Sequence, residues 1–158
     1  MKRTLFFVAG EHSGDQRAAA LIRQLKVLDP SLTFAGLGGS LMAEAGCRLL
    51  FDLPSVAALG FTDVLRRYFT FRKIFYDALS SIEEIKPSAV ILVDFPGFNI
   101  RLAKKIRRRF PVIYYVSPQV WAWAPHRKHT IAQNVSKMLT LFKFEEETYA
   151  GTSLDVEW

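Results

Sequence analysis

A single cysteine, Cys47, in 158 residues leaves no partner for an intramolecular disulfide, and nothing points to an oxidising compartment. The three histidines, His12, His126 and His129, share no metal-ligand spacing with Cys47 or with one another, so no metal site is expected. No apolar run approaches the roughly 20 residues that span a bilayer, which leaves peripheral contact as the only membrane mode. The run behind Met1-Lys2-Arg3 is cut by Gly10-Glu11-His12 too early for a signal peptide. Repeats, low-complexity segments and linker-like stretches are missing, so one domain is expected. Acidic residues are in deficit, 15 against 21 basic ones, and the resulting net charge of +6 favours phosphates, nucleic acid or an acidic membrane as partners. Nucleic acid is the weakest of these, because the basic residues are scattered and no recognised binding motif occurs. Half the residues are hydrophobic, enough to close one core.

The apolar residues are arranged in a repeating order. Leu5 to Ala9 reads as a strand, followed by a polar loop and a helical stripe at Ala18, Leu21, Ile22, Leu25 and Leu28. Thr33 to Leu37 repeats the strand signal before Gly38-Gly39, after which Ser40 is placed to cap a short helix stopped by Gly46. Ala89 to Val93 and Val112 to Val116 are apolar and β-branched, as strands covered on both faces are, with a helix Asn99 to Phe110 between them. Lys137 to Leu141 and Leu154 to Trp158 are further strand candidates. The last has no helix after it, which predicts that the natural protein continues. Alternating strands and helices predict an α/β fold, a doubly wound Rossmann-like parallel sheet with ligands at the strands' carboxyl ends.

Those ends carry the candidate chemistry. The loop Gly10 to Asp15 supplies two glycines ahead of a helix N-terminus, but it lacks the G-x-G-x-x-G spacing and the P-loop lysine, which argues against an ordinary nucleotide cofactor. Glu11 follows a buried strand and faces the crevice, whereas Asp15 is better read as a helix cap. Asp94 follows Ala89 to Val93, with Pro96-Gly97 expected to fix a turn that holds its side chain at the sheet's edge. Partial desolvation by Phe95 and Phe98 would raise its pKa and suit it to take a proton from a sugar hydroxyl. A helix-capping role explains it equally well. Asn99 reads as a cap. Ser117-Pro118-Gln119-Val120-Trp121-Ala122-Trp123 sets two indoles beside Arg127-Lys128-His129, a combination that suits sugars and phosphates, although either indole alone reads as core.

From Asp63 to Leu79, Val64, Leu65, Tyr68, Phe69, Phe71, Ile74, Phe75 and Leu79 cover more than one face, with Arg66, Arg67, Arg72 and Lys73 interleaved. A soluble helix needs one apolar stripe, so the surplus reads as a surface that dips into an anionic bilayer interface, or as a face buried by further protein or a dimer mate.

Val8-Ala9-Gly10-Glu11-His12-Ser13-Gly14-Asp15, Val93-Asp94-Phe95-Pro96-Gly97-Phe98-Asn99 and Tyr115-Val116-Ser117-Pro118-Gln119-Val120-Trp121-Ala122-Trp123 together resemble the N-terminal domain of the lipid-A-disaccharide synthases. Gly36 to Gly39, Glu44-Ala45-Gly46-Cys47 and Leu59-Gly60-Phe61 fall in the family's order, so the resemblance covers essentially the whole chain. It implies that residues 1–158 are the acceptor-side domain of a two-domain GT-B glycosyltransferase whose C-terminal UDP-sugar-binding domain is absent from this chain, leaving the chain alone short of activity. The implied reaction is inverting. UDP-2,3-diacylglucosamine condenses with 2,3-diacylglucosamine 1-phosphate (lipid X) to give the β-1,6-linked lipid A disaccharide 1-phosphate and UDP, without a cofactor.

By the same resemblance, Asp94 is the base for the acceptor's 6-hydroxyl, and Glu11, Ser13, Gly14, Ser117, Gln119 and Trp123 line the substrate cleft. Val64, Leu65, Tyr68, Phe69 and Phe71 form a membrane-contacting patch, with aromatics at some positions where the family has aliphatics. The expected location is the cytoplasmic face of the inner membrane, with a homodimer formed through the C-terminal half. The competing expectation is a non-catalytic nucleotide- or phosphate-binding Rossmann module in which Asp94 is structural.

Overall fold

A computed structural model of the chain describes residues 3–58, 64–119 and 125–158. Their alternating pattern is realised as strands β1 (Thr4–Ala9), β2 (Thr33–Gly38), β3 (Arg48–Asp52), β4 (Ala89–Val93), β5 (Val112–Tyr115), β6 (Lys137–Leu139) and β7 (Asp155–Glu157). The described helices are α1 (His12–Leu28), α2 (Ser40–Glu44), α3 (Leu53–Ala58), α4 (Val64–Ile85), α5 (Pro96–Ile106), α6 (Arg127–Ala132) and α7 (Glu145–Thr148). All strand pairs are parallel, in the order β3-β2-β1-β4-β5-β6-β7. This is the doubly wound α/β arrangement the alternation predicts.

Period-two alternation within the strands divides the core. Phe6 and Val8 of β1 join Ile74, Ala78 and Ile82 of α4 and Leu102 and Ile106 of α5 on one face. Phe7 and Ala9 meet Ala18, Ala19 and Ile22 of α1 and Met42 of α2 on the other. β4 is buried at all five positions, which explains its uninterrupted apolar run. No described helix is long and apolar enough to cross a membrane.

Local differences from the sequence reading have physical causes. β3 and α3 were not expected. β3 is the edge strand, with every second residue exposed, so its apolar signal is broken. Leu28, placed on the buried stripe of α1, is 80% exposed at the helix's last turn. Pro96 and Gly97 do not form the turn after Asp94. They are the first two residues of α5, where a proline needs no N–H partner. The helix therefore begins three residues before Asn99. Ser40 likewise does not cap α2, because a side chain from another helix occupies that role.

Candidate active site

That capping side chain is Asp15. Its Oδ1 accepts the N–H groups of Gly39 (2.8 Å) and Met42 (3.1 Å), and its Oδ2 accepts that of Leu41 (3.1 Å). Asp15 is thus a cap, as expected, but of α2 and not of its own helix. It is buried, and it ties the first glycine loop to the second. A Cβ at Gly39 would lie 2.5 Å from Asp15 Oδ2, so the glycine is required for this approach.

The sheet's switch point lies between β1 and β4, where successive crossovers leave in opposite directions and their loops part to form a crevice. Ala9 pairs with Val93, so Gly10-Glu11 and Asp94-Phe95 emerge side by side. Gly10 lies under the Phe95 ring, and a Cβ there would come within 2.2 Å of it. Asp94 and Phe95 both adopt left-handed backbone angles, φ 46° and 48°, a conformation that costs non-glycine residues on the order of 1–3 kcal/mol each. The surroundings impose it. The Asp94 carbonyl accepts the Tyr114 hydroxyl at 2.6 Å and the Asn99 side-chain amide at 2.8 Å, while the Asp94 N–H donates to the Tyr115 carbonyl at 3.3 Å.

Asn99 is therefore not a helix cap. It is buried inside α5, and its amide also reaches the carbonyls of Val93 (3.3 Å) and Val8 (3.4 Å). One side chain spans the carboxyl ends of both strands. Burial, followed by the charges of Asp94 and Tyr149, pushes the Tyr114 phenol well above its ordinary value and keeps it a neutral donor.

The Asp94 carboxyl is half-buried at the crevice. Burial is the first cause raising its pKa and the nearby Glu11 charge the second, while the Phe95 N–H and Arg17 pull partway back. Glu11, whose charge acts on Asp94, and Ser13 are both exposed. Gly14 is buried, yet a Cβ there would meet Ala9 Cβ at 3.5 Å and Val93 Cγ1 at 3.6 Å, which is ordinary contact. On the β5 side, Val116 has φ 70°, an unusual angle for a β-branched residue. Ser117 beyond it is buried, with its hydroxyl 3.0 Å from that of Tyr149. Burial raises the Tyr149 phenol to about 12. Gln119 is exposed, and Trp121 and Trp123 lie outside the described residues.

Of the expected membrane patch, Leu65, Tyr68 and Phe69 are exposed by 69%, 55% and 60%, respectively. Phe71 instead turns inward, its ring 6.3 Å from that of Phe95. The side chain of Val64 lies outside the described residues. Between α4 and α5, against Phe95, a groove of about 460 Å³ opens. Sequence reasoning did not single out the groove, or the Tyr114 and Asn99 clamp. The signals were a tyrosine, Tyr114, at an inward-facing position of β5 and the four-residue spacing of Gly97 and Arg101 along α5. Among the described residues no cluster of three or more His, Cys, Asp or Glu is placed to hold a metal.

The family described as lipid-A-disaccharide synthetase matches residues 5–158. The lipid-A-disaccharide synthase of Myxococcus xanthus (strain DK1622) is 45% identical over 152 residues, which cover 94% of this chain and 40% of that protein. Lipid-A-disaccharide synthase 1 of Legionella pneumophila (strain Lens) is 41% identical over 153 residues, 96% of this chain and 40% of that protein. The lipid-A-disaccharide synthase of Syntrophotalea carbinolica (strain DSM 2380 / NBRC 103641 / GraBd1) is 40% identical over 158 residues, 99% of this chain and 40% of that protein. The chain spans about two fifths of the length of these relatives.

Proposed function

Because the chain belongs to the lipid-A-disaccharide synthetase family, glycosyltransferases of lipid A biosynthesis, we propose that it is the acceptor-side domain of the inverting transfer between UDP-2,3-diacylglucosamine and 2,3-diacylglucosamine 1-phosphate. The observation that carries this reading is a half-buried carboxyl with a raised pKa, set by a strained loop at the switch point. Asp94 takes the proton of the acceptor's 6-hydroxyl. The oxygen attacks the donor's anomeric carbon from the face opposite the nucleotide, the bond from that carbon to the phosphate oxygen breaks, and UDP leaves with the electron pair.

Position favours Asp94 over Glu11 as the base. Asp94 is held by a carbonyl clamped between two donors, whereas Glu11 is exposed. Glu11 instead keeps Asp94 basic by its charge, and we assign it to the substrate cleft with Ser13, Gly14, Ser117 and Gln119. Leu65, Tyr68 and Phe69 on α4 bring this cleft to an anionic membrane surface on the cytoplasmic side. We assign the nucleotide grip and a homodimer contact to the part of the relatives' length that this chain does not match.

The test is Asp94→Asn in the protein at its full natural length, measured by release of UDP. The amide keeps the shape and loses the base, so turnover should fall about 10²–10⁴-fold with folding intact. Near-normal turnover would make Asp94 structural and favour a non-catalytic binding module.

A further inference from the structure

The groove between α4 and α5 combines an aromatic floor with a basic rim. Phe71, Phe75, Phe95 and Phe98 line it together with Arg72 and Arg101, and none of its described lining residues is acidic. The floor is preformed: Phe75 meets Phe98 edge to face at 5.4 Å, Phe95 stacks on Phe98 at 6.0 Å, and Phe71 faces Phe95. These rings also pack on the buried core, so the groove is built from the fold and is not a crease in a loop. Its volume, about 460 Å³, falls in the range of small-molecule sites. Arg72 lies over the Tyr76 ring at 5.9 Å, and Arg101 is exposed with no carboxylate partner among the described ion pairs. An unneutralised cation at the mouth of an apolar slot is complementary to one kind of occupant, an amphiphile with a hydrocarbon chain and an anionic head. Phe95 lines this slot and is the residue after Asp94.

We propose that this groove seats one acyl chain of the phosphorylated acceptor, with Arg101 at the rim pairing with its phosphate. The assignment rests on the acceptor-side reading above and gives it a specificity element. The chain in the slot and the hydroxyl at Asp94 fix the sugar at two points, and Phe95 couples them. A free sugar phosphate without the chain gains only the weak rim contact. A long chain loses water from both its own surface and the phenylalanine floor, so affinity grows with chain length until the slot is full.

Gly97 supplies the discriminating substitution. It lines the groove, is exposed, and a Cβ there would meet nothing within 4 Å, so Gly97→Leu fills the slot without displacing its walls. Leucine also favours the helix more than glycine does, and circular dichroism should show an unchanged fold.

The probes are octyl, decyl and dodecyl phosphate below their micellar concentrations, with dodecyltrimethylammonium as the opposite-charge control, titrated by calorimetry into the full chain. The expected result is affinity rising about fourfold per methylene, little binding of the ammonium compound, and loss of the chain-length dependence in Gly97→Leu. Arg101→Gln should weaken dodecyl phosphate about two- to fivefold, less at high salt. Equal affinity in Gly97→Leu and parent, or equal affinity for the phosphate and the ammonium, would overturn the proposal. So would a Gly97→Leu variant that leaves anionic vesicles while still binding dodecyl phosphate as the parent does, because the groove would then be a membrane contact. None of these readouts depends on turnover. If Asp94→Asn abolishes UDP release and the phosphates ignore Gly97→Leu, the groove assignment falls alone. If Asp94→Asn turns over normally while the phosphates bind through Gly97, the base assignment falls alone.

Discussion

Removing the Asp15 carboxylate should damage the protein far more than an ordinary helix-cap loss. Asp15→Ala leaves the N–H groups of Gly39 and Met42 without acceptors at buried positions, and that of Leu41 at a half-buried one. A buried unpaired donor costs about 1–3 kcal/mol, and relief of the desolvation of a buried carboxylate returns part of the total, so a net loss of about 3 kcal/mol is expected. That is a large share of the roughly 5–15 kcal/mol that holds a domain together. In urea, with a slope of about 2 kcal/mol/M, the unfolding midpoint should drop by about 1.5 M at unchanged slope. Asp15→Asn retains one accepting oxygen but turns an NH₂ toward the Leu41 N–H, so its cost should be about half as large.

The geometry also predicts coupling. Gly39→Ala forces a Cβ to within 2.5 Å of Asp15 Oδ2, a conflict that vanishes once the carboxylate is gone. Gly39→Ala should therefore cost clearly less in the Asp15→Ala background than in the parent. A midpoint shift below about 0.5 M for Asp15→Ala, or strictly additive costs in the double variant, would refute the assignment.

Two further outcomes follow from the site. The Asp94 carboxyl is raised by burial and then by Glu11, and the proposed base role needs it ionised, so kcat/KM should climb with pH through a value above the ordinary 3.8; Glu11→Gln should move that limb to lower pH, and an unmoved limb would count against the pairing. A raised carboxyl holds its proton longer in the folded than in the unfolded chain, so its contribution to stability is present below the unfolded value and lost as pH rises through the folded one; Asp94→Asn should thus melt no lower than the parent at neutral pH. On α4, replacing the exposed Leu65 and Phe69 with serine should release the protein from anionic vesicles with circular dichroism unchanged, because neither helps form the core; binding equal to the parent in a sedimentation assay would place the membrane contact elsewhere.

The strand–loop alternation and the position of Asp94 were legible because both are local: a buried strand is an unbroken apolar run, and the residue after it is at the sheet's edge. What holds Asp94 was not legible. Its left-handed angle, shared with Phe95, carries no glycine to announce it, and is imposed by Tyr114 and Asn99 from elements paired only in three dimensions. Pro96-Gly97 looked like the turn because that dipeptide usually is one, yet the neighbouring clamp makes the turn one step earlier. Asp15 shows the same limit: its cap function was readable from residue type, while the helix it caps begins 25 residues along the chain. The excess of apolar residues on α4 was plain from the periodicity. Which of them face Phe95 and which face solvent depends on where α5 lies, and no helical period encodes that.

The left-handed angles at Asp94, Phe95 and Val116 also set a direction for the protein's adaptation. Each stores backbone energy that glycine would release, by about 1 kcal/mol or more per position. The easiest gains in heat resistance therefore lie beside Asp94, the proposed base, where relaxing the loop would let its carboxylate shift. Selection for ruggedness and selection for turnover pull on the same residues in opposite senses, so a heat-hardened descendant of this chain would have to find its extra stability elsewhere, in exposed apolar positions such as Val27 and Leu28 at the far end of α1.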